Sequence, residues 1–470
     1  MGSISRCTLM LLATSVVSGA AQAGGPLRVH PDNPRYFADS EGRAVLLVGA
    51  HTWNSLVDMG KEDPPVPFDF TAYLNFLEKH NHNFIRLWAW DSTVWDTRSN
   101  GPWGKDFVHH AAPQPWVRTG PENALDGKPK FDLTQFNPVY FERLRARVEA
   151  AGKRGIYVSV MLFEGWAMMH GNLRRPAEPG WAWRGHPFNP ANNINNTMAG
   201  MSAEALTGPV HSLKDPVTQE LQAATIRHVV DTVSDLPNVL YEVINEGGEK
   251  AWDWWVVKTV KEHETTKPMQ HPIGITGHGA ERLPSMLASP ADWISPGRRD
   301  GYGDNPPAWD GRKVSLLDTD HVWGIGGNLP WVWKAFLRGH NPLFMDPYDG
   351  TVLGKRFDPR FDVVHRGLGD VRRFSERLDL ARMVPRGDLS SSGYCLADAT
   401  PDRAEYLVYV PEGGTVTVDL SAARGELAIE WLDPDTGARA AGGPVPGGAS
   451  RELTAPFPGH AVLHVRRRDG

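Results

Sequence analysis

The chain runs to 470 residues, 41% of them hydrophobic and 22% charged, an ordinary globular composition long enough for a full barrel plus an accessory domain. Its formal charge of −6 leaves no electrostatic footprint for nucleic acid or anionic lipid, so no nucleic-acid or membrane partner is expected. Eighteen tryptophans is a high count. Rings with a large apolar face and a polar N–H suit wet, amphipathic ligands, although core filling and loop anchoring account for many of them.

The elements begin with a segment expected to be removed. Arg6 precedes an apolar stretch from Leu9 to Val17, then small residues and Ala21-Gln22-Ala23, the pattern of a secretory signal cleaved after Ala23. The stretch is too short to anchor in a bilayer. A secreted or periplasmic chain is expected, with residues 1–23 as leader. Only Cys395 remains after cleavage, so neither an intramolecular disulfide nor a cysteine-based metal site is expected.

Eight apolar runs follow: Ala44 to Trp53, Phe84 to Trp90, Ile156 to Trp166, Asn238 to Glu246, Pro272 to His278, Asp292 to Pro296, Val314 to Asp320 and Asn341 to Tyr348. Helical spacing marks Pro138 to Gly152, with Tyr140, Leu144 and Val148 on one face, and Pro216 to Ser234 reads as another helix. Strands alternating with helices predict parallel βαβ units, and eight of them predict a closed (β/α)8 barrel over 24–385. A Pro/Gly/Asn-rich loop from Arg174 to Gly200 interrupts the third unit, and a helix from Pro359 to Met383 closes the barrel. From Ser390 the texture changes to short alternating strands, Glu405 to Val410, Thr415 to Leu420, Leu427 to Leu432 and Ala461 to Val465, with Gly- and Pro-rich turns between them. That segment, 390–470, predicts a small all-β sandwich.

Chemistry belongs at the C-terminal ends of barrel strands. The first run ends in His51-Thr52-Trp53, the second carries Arg86, Trp88 and Trp90, and the third ends in Glu164-Gly165-Trp166. The fourth ends in Asn245-Glu246 and the fifth in His278. The seventh gives Asp318-Thr319-Asp320-His321 with Trp323 beyond, and the eighth Asp346-Pro347-Tyr348. Two carboxylates at separate strand ends suit glycoside hydrolysis, in which one acid protonates the leaving oxygen and the other attacks or activates water. Glu246 is the expected acid/base, its pKa raised by a tryptophan-rich cleft. Asp318 and Asp320, two apart on one strand, share a face. Asp320, nearer the mouth, is the expected nucleophile, and Asp318 a deeper partner of Arg86. No cofactor is expected.

A fourth strand ending in Asn-Glu with an acid at the end of the seventh resembles clan A of the glycoside hydrolases. That resemblance implies Glu246 as acid/base, Asn245 as partner of the sugar 2-hydroxyl and Arg86 as support for the nucleophile. The run Leu317-Asp318-Thr319-Asp320-His321-Val322-Trp323-Gly324 resembles a narrower group that includes apiosidase-type enzymes. Tyr406-Leu407-Val408-Tyr409, Thr415 to Leu420, Trp431 to Gly437 and Pro456 to Val465 are similar to a module labelled collagen-binding in collagenases. Clan A enzymes usually carry a glutamate nucleophile, whereas this strand offers only aspartate. The resemblance implies retention, which needs about 5–5.5 Å between the carboxyl groups rather than the roughly 6.5–9.5 Å of inverting enzymes. The resemblance implies a carbohydrate substrate with a terminal pentofuranose, of the kind found in side chains of plant polysaccharides, and the remaining strand-end residues are expected to hold it.

Two other readings compete. His51, His278, His321, Asp318 and Asp320 could ligate a metal, but His51-Thr52-Trp53 lacks the His-x-His with which such barrels usually begin, and lone strand-end histidines more often bond substrate or acids. A binding-only protein would have little use for a Glu246/Asp320 pair, and Tyr406, Tyr409 and Trp431 read as module core rather than a binding face. The sequence leaves the oligomeric state open.

Overall fold

The computed structural model describes residues 25–169, 178, 180–202, 210–277 and 282–468. The leader-like segment 1–23, Arg174, Arg175 and His278 lie outside the described residues.

Eight parallel strands close into a barrel: β1 (Gly49–His51), β2 (Phe84–Leu87), β3 (Tyr157–Glu164), β4 (Val239–Asn245), β5 (Ile273–Thr276), β6 (Trp293–Ser295), β7 (Val314–Asp318) and β8 (Asn341–Met345). Each pairs in parallel with its neighbours, β8 returning to β1 and β2 to β3. Strands buried on both faces explain the unbroken apolar runs; every residue of β4 is buried.

The main helices are α1 (Phe70–Lys79), α2 (Pro138–Gly152), α3 (Pro216–Val233), α4 (Lys250–Glu264), α5 (Arg282–Ala288), α6 (Leu329–Leu337) and α7 (Asp362–Ser375). Their starts follow from local chemistry. Asn137 and Asp215 cap α2 and α3 by accepting from Val139 N and Thr218 N, and each is followed by proline, whose missing N–H costs nothing in the first turn. The β6–β7 connection departs from the alternation, because it holds only the 3-10 turn Arg298–Asp300 among the described residues.

Three expected boundaries move. The first run divides, since Ala44–Val45 pairs with Phe37–Ala38 in a small N-terminal sheet. Between the two pieces Leu47 N and Val48 N donate to the side chains of Asn341 and Asn83 in place of a ladder partner. The seventh run stops at Asp318, whose carboxylate accepts from Asp320 N and caps a one-turn helix, Thr319–Val322. The closing helix stops at Ser375, and Asn33 Nδ2, rather than a continuing helix, satisfies the carbonyls of Leu380 and Met383.

A long excursion separates β2 from β3. Within it Val94–Asp96 and Val108–Ala112 form a sheet with Asp58–Gly60, and Trp116–Asn123 pairs with Pro129–Phe136.

After α7 the chain builds an antiparallel sheet from β9 (Val384–Pro385), β10 (Cys395–Asp398), β11 (Glu405–Val410), β13 (Glu426–Leu432), β14 (Arg439–Pro446) and β16 (Ala461–Arg467), in the order β9-β10-β11-β16-β13-β14. β12 (Thr415–Asp419) and β15 (Ser450–Thr454) pair separately. The period of two sorts side chains between two cores. Tyr406, Val408, Trp431 and Leu463 pack inside this module, whereas Leu407, Tyr409, Leu432 and Val462 join the barrel's core. Tyr409 therefore belongs to the barrel-facing side. No helix among the described residues is long and apolar enough to cross a membrane.

Candidate active site

The barrel mouth is organised around one buried guanidinium. Arg86, on β2, donates through Nε and Nη2 to the two carboxylate oxygens of Glu242, at 2.9 and 2.5 Å. Nη2 also reaches Asn245 Oδ1 at 2.7 Å, while Nη1 reaches Oδ2 of both Asp318 and Asp320, at 3.0 and 3.1 Å. Four side chains from β4 and from the end of β7 are thus tied to one cation on β2, and burial is tolerable because each donor is matched by an acid or amide.

His51, at the end of β1, is fixed by two partners. The Trp88 indole N–H donates to its Nδ1 at 2.9 Å, so the ring proton lies on Nε2 and faces Asp318 Oδ2 at 2.7 Å. Burial pushes the His51 pKa down despite Asp318, and the ring is neutral. Burial also opposes ionisation of Asp318, but His51 and Arg86 outweigh it and hold that carboxyl well below the usual carboxylate range. For Asp320 the balance reverses: burial, with the nearby acids Glu246 and Asp318, pushes it well up despite Arg86. His321 lies between Ser295 Oγ (2.8 Å, to Nδ1) and Asn245 Oδ1 (3.2 Å, to Nε2). Because Asn245 Oδ1 accepts, Nε2 carries the proton; burial and Arg86 push this ring down to about 3. Both nitrogens of His51 and of His321 are engaged, so neither ring offers a lone pair to a metal.

Above this layer the cleft has two compartments that share Glu246, Asp320, Trp323 and Gly324. One, of about 280 Å³, is walled by Trp53, Trp103 and Trp166 with Asn100, Ile325, Met345 and Leu353. The other, of about 250 Å³, is lined by Gly277, Gly297, Arg298, Arg299, Asp300 and His321. Arg298 and Arg299 have no carboxylate within ion-pair distance among the described residues.

Glu246 reaches this position through unusual backbone. Its φ is +47°, in the left-handed region that a side-chain-bearing residue seldom adopts outside constrained sites. Gly165, just past β3, permits the approach: a Cβ there would sit 1.8 Å from Glu246 O. Asn245, fully buried, keeps Nδ2 without a hydrogen-bond partner among the described residues.

Of the residues expected at the site, Glu246, Asp320, His321, Trp53, Trp166 and Trp323 line the cleft. Arg86, Asn245, His51, Trp88 and Asp318 form the layer beneath it, and Arg86 stacks 4.9 Å from the Trp88 ring centroid. Four others are placed elsewhere. Trp90 is spent on packing against Trp95, at 4.1 Å between ring centroids. The Glu164 carboxylate turns back to accept from Ala167 N. Asp346 caps Tyr348 N and meets His365, and Tyr348 packs among Phe68, Tyr73 and Phe76. Sequence reasoning missed Glu242, although an acid in the middle of an apolar strand needs a buried cation partner. It also missed Trp103, Arg298 and Arg299, which sit in connections that carry no periodic signal.

Fold and site together define a (β/α)8 barrel with an acid-lined, tryptophan-walled mouth and a β module packed on its side. Residues 106–279 match a family described as "Domain of unknown function (DUF6298)", a span holding β3 and β4 with Glu246 but not β7. No curated protein sequence matches the chain. Among solved structures it is similar to one named "Glycoside hydrolase", at 12% identity and a TM-score of 0.55, over 94% of this chain and 97% of that one. It is also similar to a glycoside hydrolase family 5 protein from Bacteroides vulgatus, at 12% identity and a TM-score of 0.58, over 95% and 94%. At such identities the likeness is one of fold.

Proposed function

We propose that this protein is a glycoside hydrolase in which Glu246 is the acid/base and Asp320 the nucleophile. The observation that carries the reading is the pair itself: two carboxylic acids from different strand ends face one tryptophan-walled cleft, over a layer in which Arg86 already binds Asp320. Asp318 is less suited to attack, because His51, Arg86 and Asp320 N occupy its oxygens and it lines neither compartment. Asp320 and Glu246 are close enough to disfavour two charges, which suits a pair sharing one proton. In the reacting complex that proton rests on Glu246 and passes to the leaving oxygen as Asp320 attacks the anomeric carbon. Water then displaces Asp320 with Glu246 acting as base. Asn245 Nδ2 is free to donate to a sugar hydroxyl beside that carbon.

The aromatic compartment lies near the lower end of the roughly 300–1,000 Å³ common for small-molecule sites, which supports removal of a terminal sugar. The resemblance to apiosidase-type enzymes supports a pentofuranose, and the expected leader supports action outside the cytoplasm. The test is a screen of aryl glycosides and plant oligosaccharides with wild type and Glu246→Gln. Wild-type turnover that collapses for poor leaving groups in Glu246→Gln is expected; unchanged turnover in the variant overturns the assignment.

A further inference from the structure

Three buried side chains outside the cleft converge on one another. Asp91 follows β2, His186 ends the one-turn helix Ala182–Gly185, and His211 lies further along the same β3–α3 connection. They are only 4%, 1% and 8% exposed. One donor atom from each lies within 4.8 Å of the others, and His186 Nε2 stands 4.0 Å from Asp91 Oδ2. Both Nε2 atoms, of His186 and of His211, have no hydrogen-bond partner among the described residues.

We propose that Asp91, His186 and His211 bind a divalent first-row cation, zinc foremost, which fastens the β3–α3 connection to the end of β2. Two imidazoles and one carboxylate are the donor set that zinc takes, at about 2.0–2.2 Å, which puts neighbouring donors roughly 3–4 Å apart. The His186–Asp91 pair, at 4.0 Å, already meets that spacing, and the donors as a set, all within 4.8 Å, must close by at most about 1 Å. The two imidazoles stand with ring centroids 6.4 Å apart and planes at 75°, and the unpartnered Nε2 of each is among the donor atoms that converge. A carboxylate in this setting also needs a cation. Among the described residues Asp91 has no lysine or arginine within ion-pair distance, and its one hydrogen bond comes from Glu164 N at 3.2 Å.

One contact opposes the site. His186 Nδ1 accepts the Phe188 N–H at 3.2 Å, so the metal-free ring carries its proton on Nε2. Coordination through Nε2 moves that proton to Nδ1 and gives up this long hydrogen bond in exchange for coordination by three groups. A protonated Asp91 releases its proton to solvent as the ion enters. These residues are distinct from the His51, His321 and Asp320 set, whose histidine nitrogens are engaged.

The experiment uses the whole protein, stripped with a chelator, incubated with zinc chloride, passed through a desalting column and assayed for bound metal by mass spectrometry. About one zinc per chain is expected in wild type and in Asp320→Asn, and none in His211→Ala. Zinc is expected to raise the wild-type Tm by about 3 °C and to leave that of His211→Ala unmoved. Wild type that retains neither zinc, cobalt, nickel nor manganese overturns the proposal. Equal retention by wild type and His211→Ala, or retention lost in Asp320→Asn alone, overturns it as well. If His211→Ala fails to fold, Asp91→Asn takes its place and the wild-type stoichiometry decides.

Discussion

Asp318 holds Asp320 by the backbone: its Oδ1 accepts the Asp320 N–H at 2.9 Å while its Oδ2 meets His51 and Arg86. The deeper acid therefore both neutralises the buried guanidinium and sets the turn that lifts the outer acid into the cleft. Asp318→Asn keeps an oxygen for the turn but loses the charge; Asp318→Ala loses both. Turnover is expected to fall by about 10²-fold or more in the alanine variant, since a misplacement of about 1 Å costs that much. The asparagine variant is expected to lose less. Parallel kinetics on the two variants check the order.

Arg86→Lys is expected to fold poorly. A lysine cannot reach Glu242 in bidentate fashion and still satisfy Asp318 and Asp320, and buried acids left unpaired cost about 3–5 kcal/mol. Urea unfolding measures the loss.

Gly165→Ala tests the approach of β3 to Glu246. With a Cβ required to occupy a point 1.8 Å from Glu246 O, either the turn or the strand end must move. Overpacking of this kind costs about 1–3 kcal/mol. The kcat is expected to drop at least tenfold, by roughly the geometric penalty of a displaced acid, with KM less affected. Steady-state kinetics on a soluble variant gives the split.

Arg298 and Arg299 line the compartment across the acid pair from the aromatic wall. The double substitution Arg298→Ala/Arg299→Ala is expected to raise KM for substrates bearing a uronate on the leaving-group side by about tenfold or more, and to leave neutral substrates nearly unchanged. Equal effects on both would assign the arginines to solvation.

Acid is expected to destabilise the fold below about pH 6.5. Burial lowers the pKa of His51, His82, His109, His186, His211, His321 and His340, with His211 and His321 near 3 and His109 and His340 near 4. The unfolded chain binds protons to these rings from about pH 6.5 downward while the folded chain does not, so stability falls as pH drops, by up to about 1.4 kcal/mol per unit for each ring. Asp91, Glu164 and Asp320 are raised and act in the opposite sense. Seven rings against three carboxyls decide the direction. Thermal melts from pH 7.5 to 4.5 check it.

How far the sequence was legible depends on which force placed each residue. The barrel was readable because buried parallel strands demand apolar runs and because Asn137-Pro138 and Asp215-Pro216 announce helices. Glu246 and the tryptophans Trp53, Trp166 and Trp323 reached the cleft because the turns that leave the strand ends converge there. Glu164, Trp90, Asp346 and Tyr348 also stand at strand ends, yet local hydrogen bonds and packing turn them elsewhere, a competition that spacing does not express. Asp320 reached the mouth by a route other than the one its spacing from Asp318 suggested, on a capped turn rather than along a strand.

The alternation along β11 has a practical meaning. Since Tyr406 and Val408 close the module's own interior while Leu407 and Tyr409 seal the flank of the barrel, this β module is no detachable accessory. Cutting the chain after α7 would strip the barrel of part of its own wall, leaving apolar surface that invites aggregation. The barrel is therefore expected to require the C-terminal β module to remain soluble, and any attempt to transplant the module would disrupt two hydrophobic interiors at once.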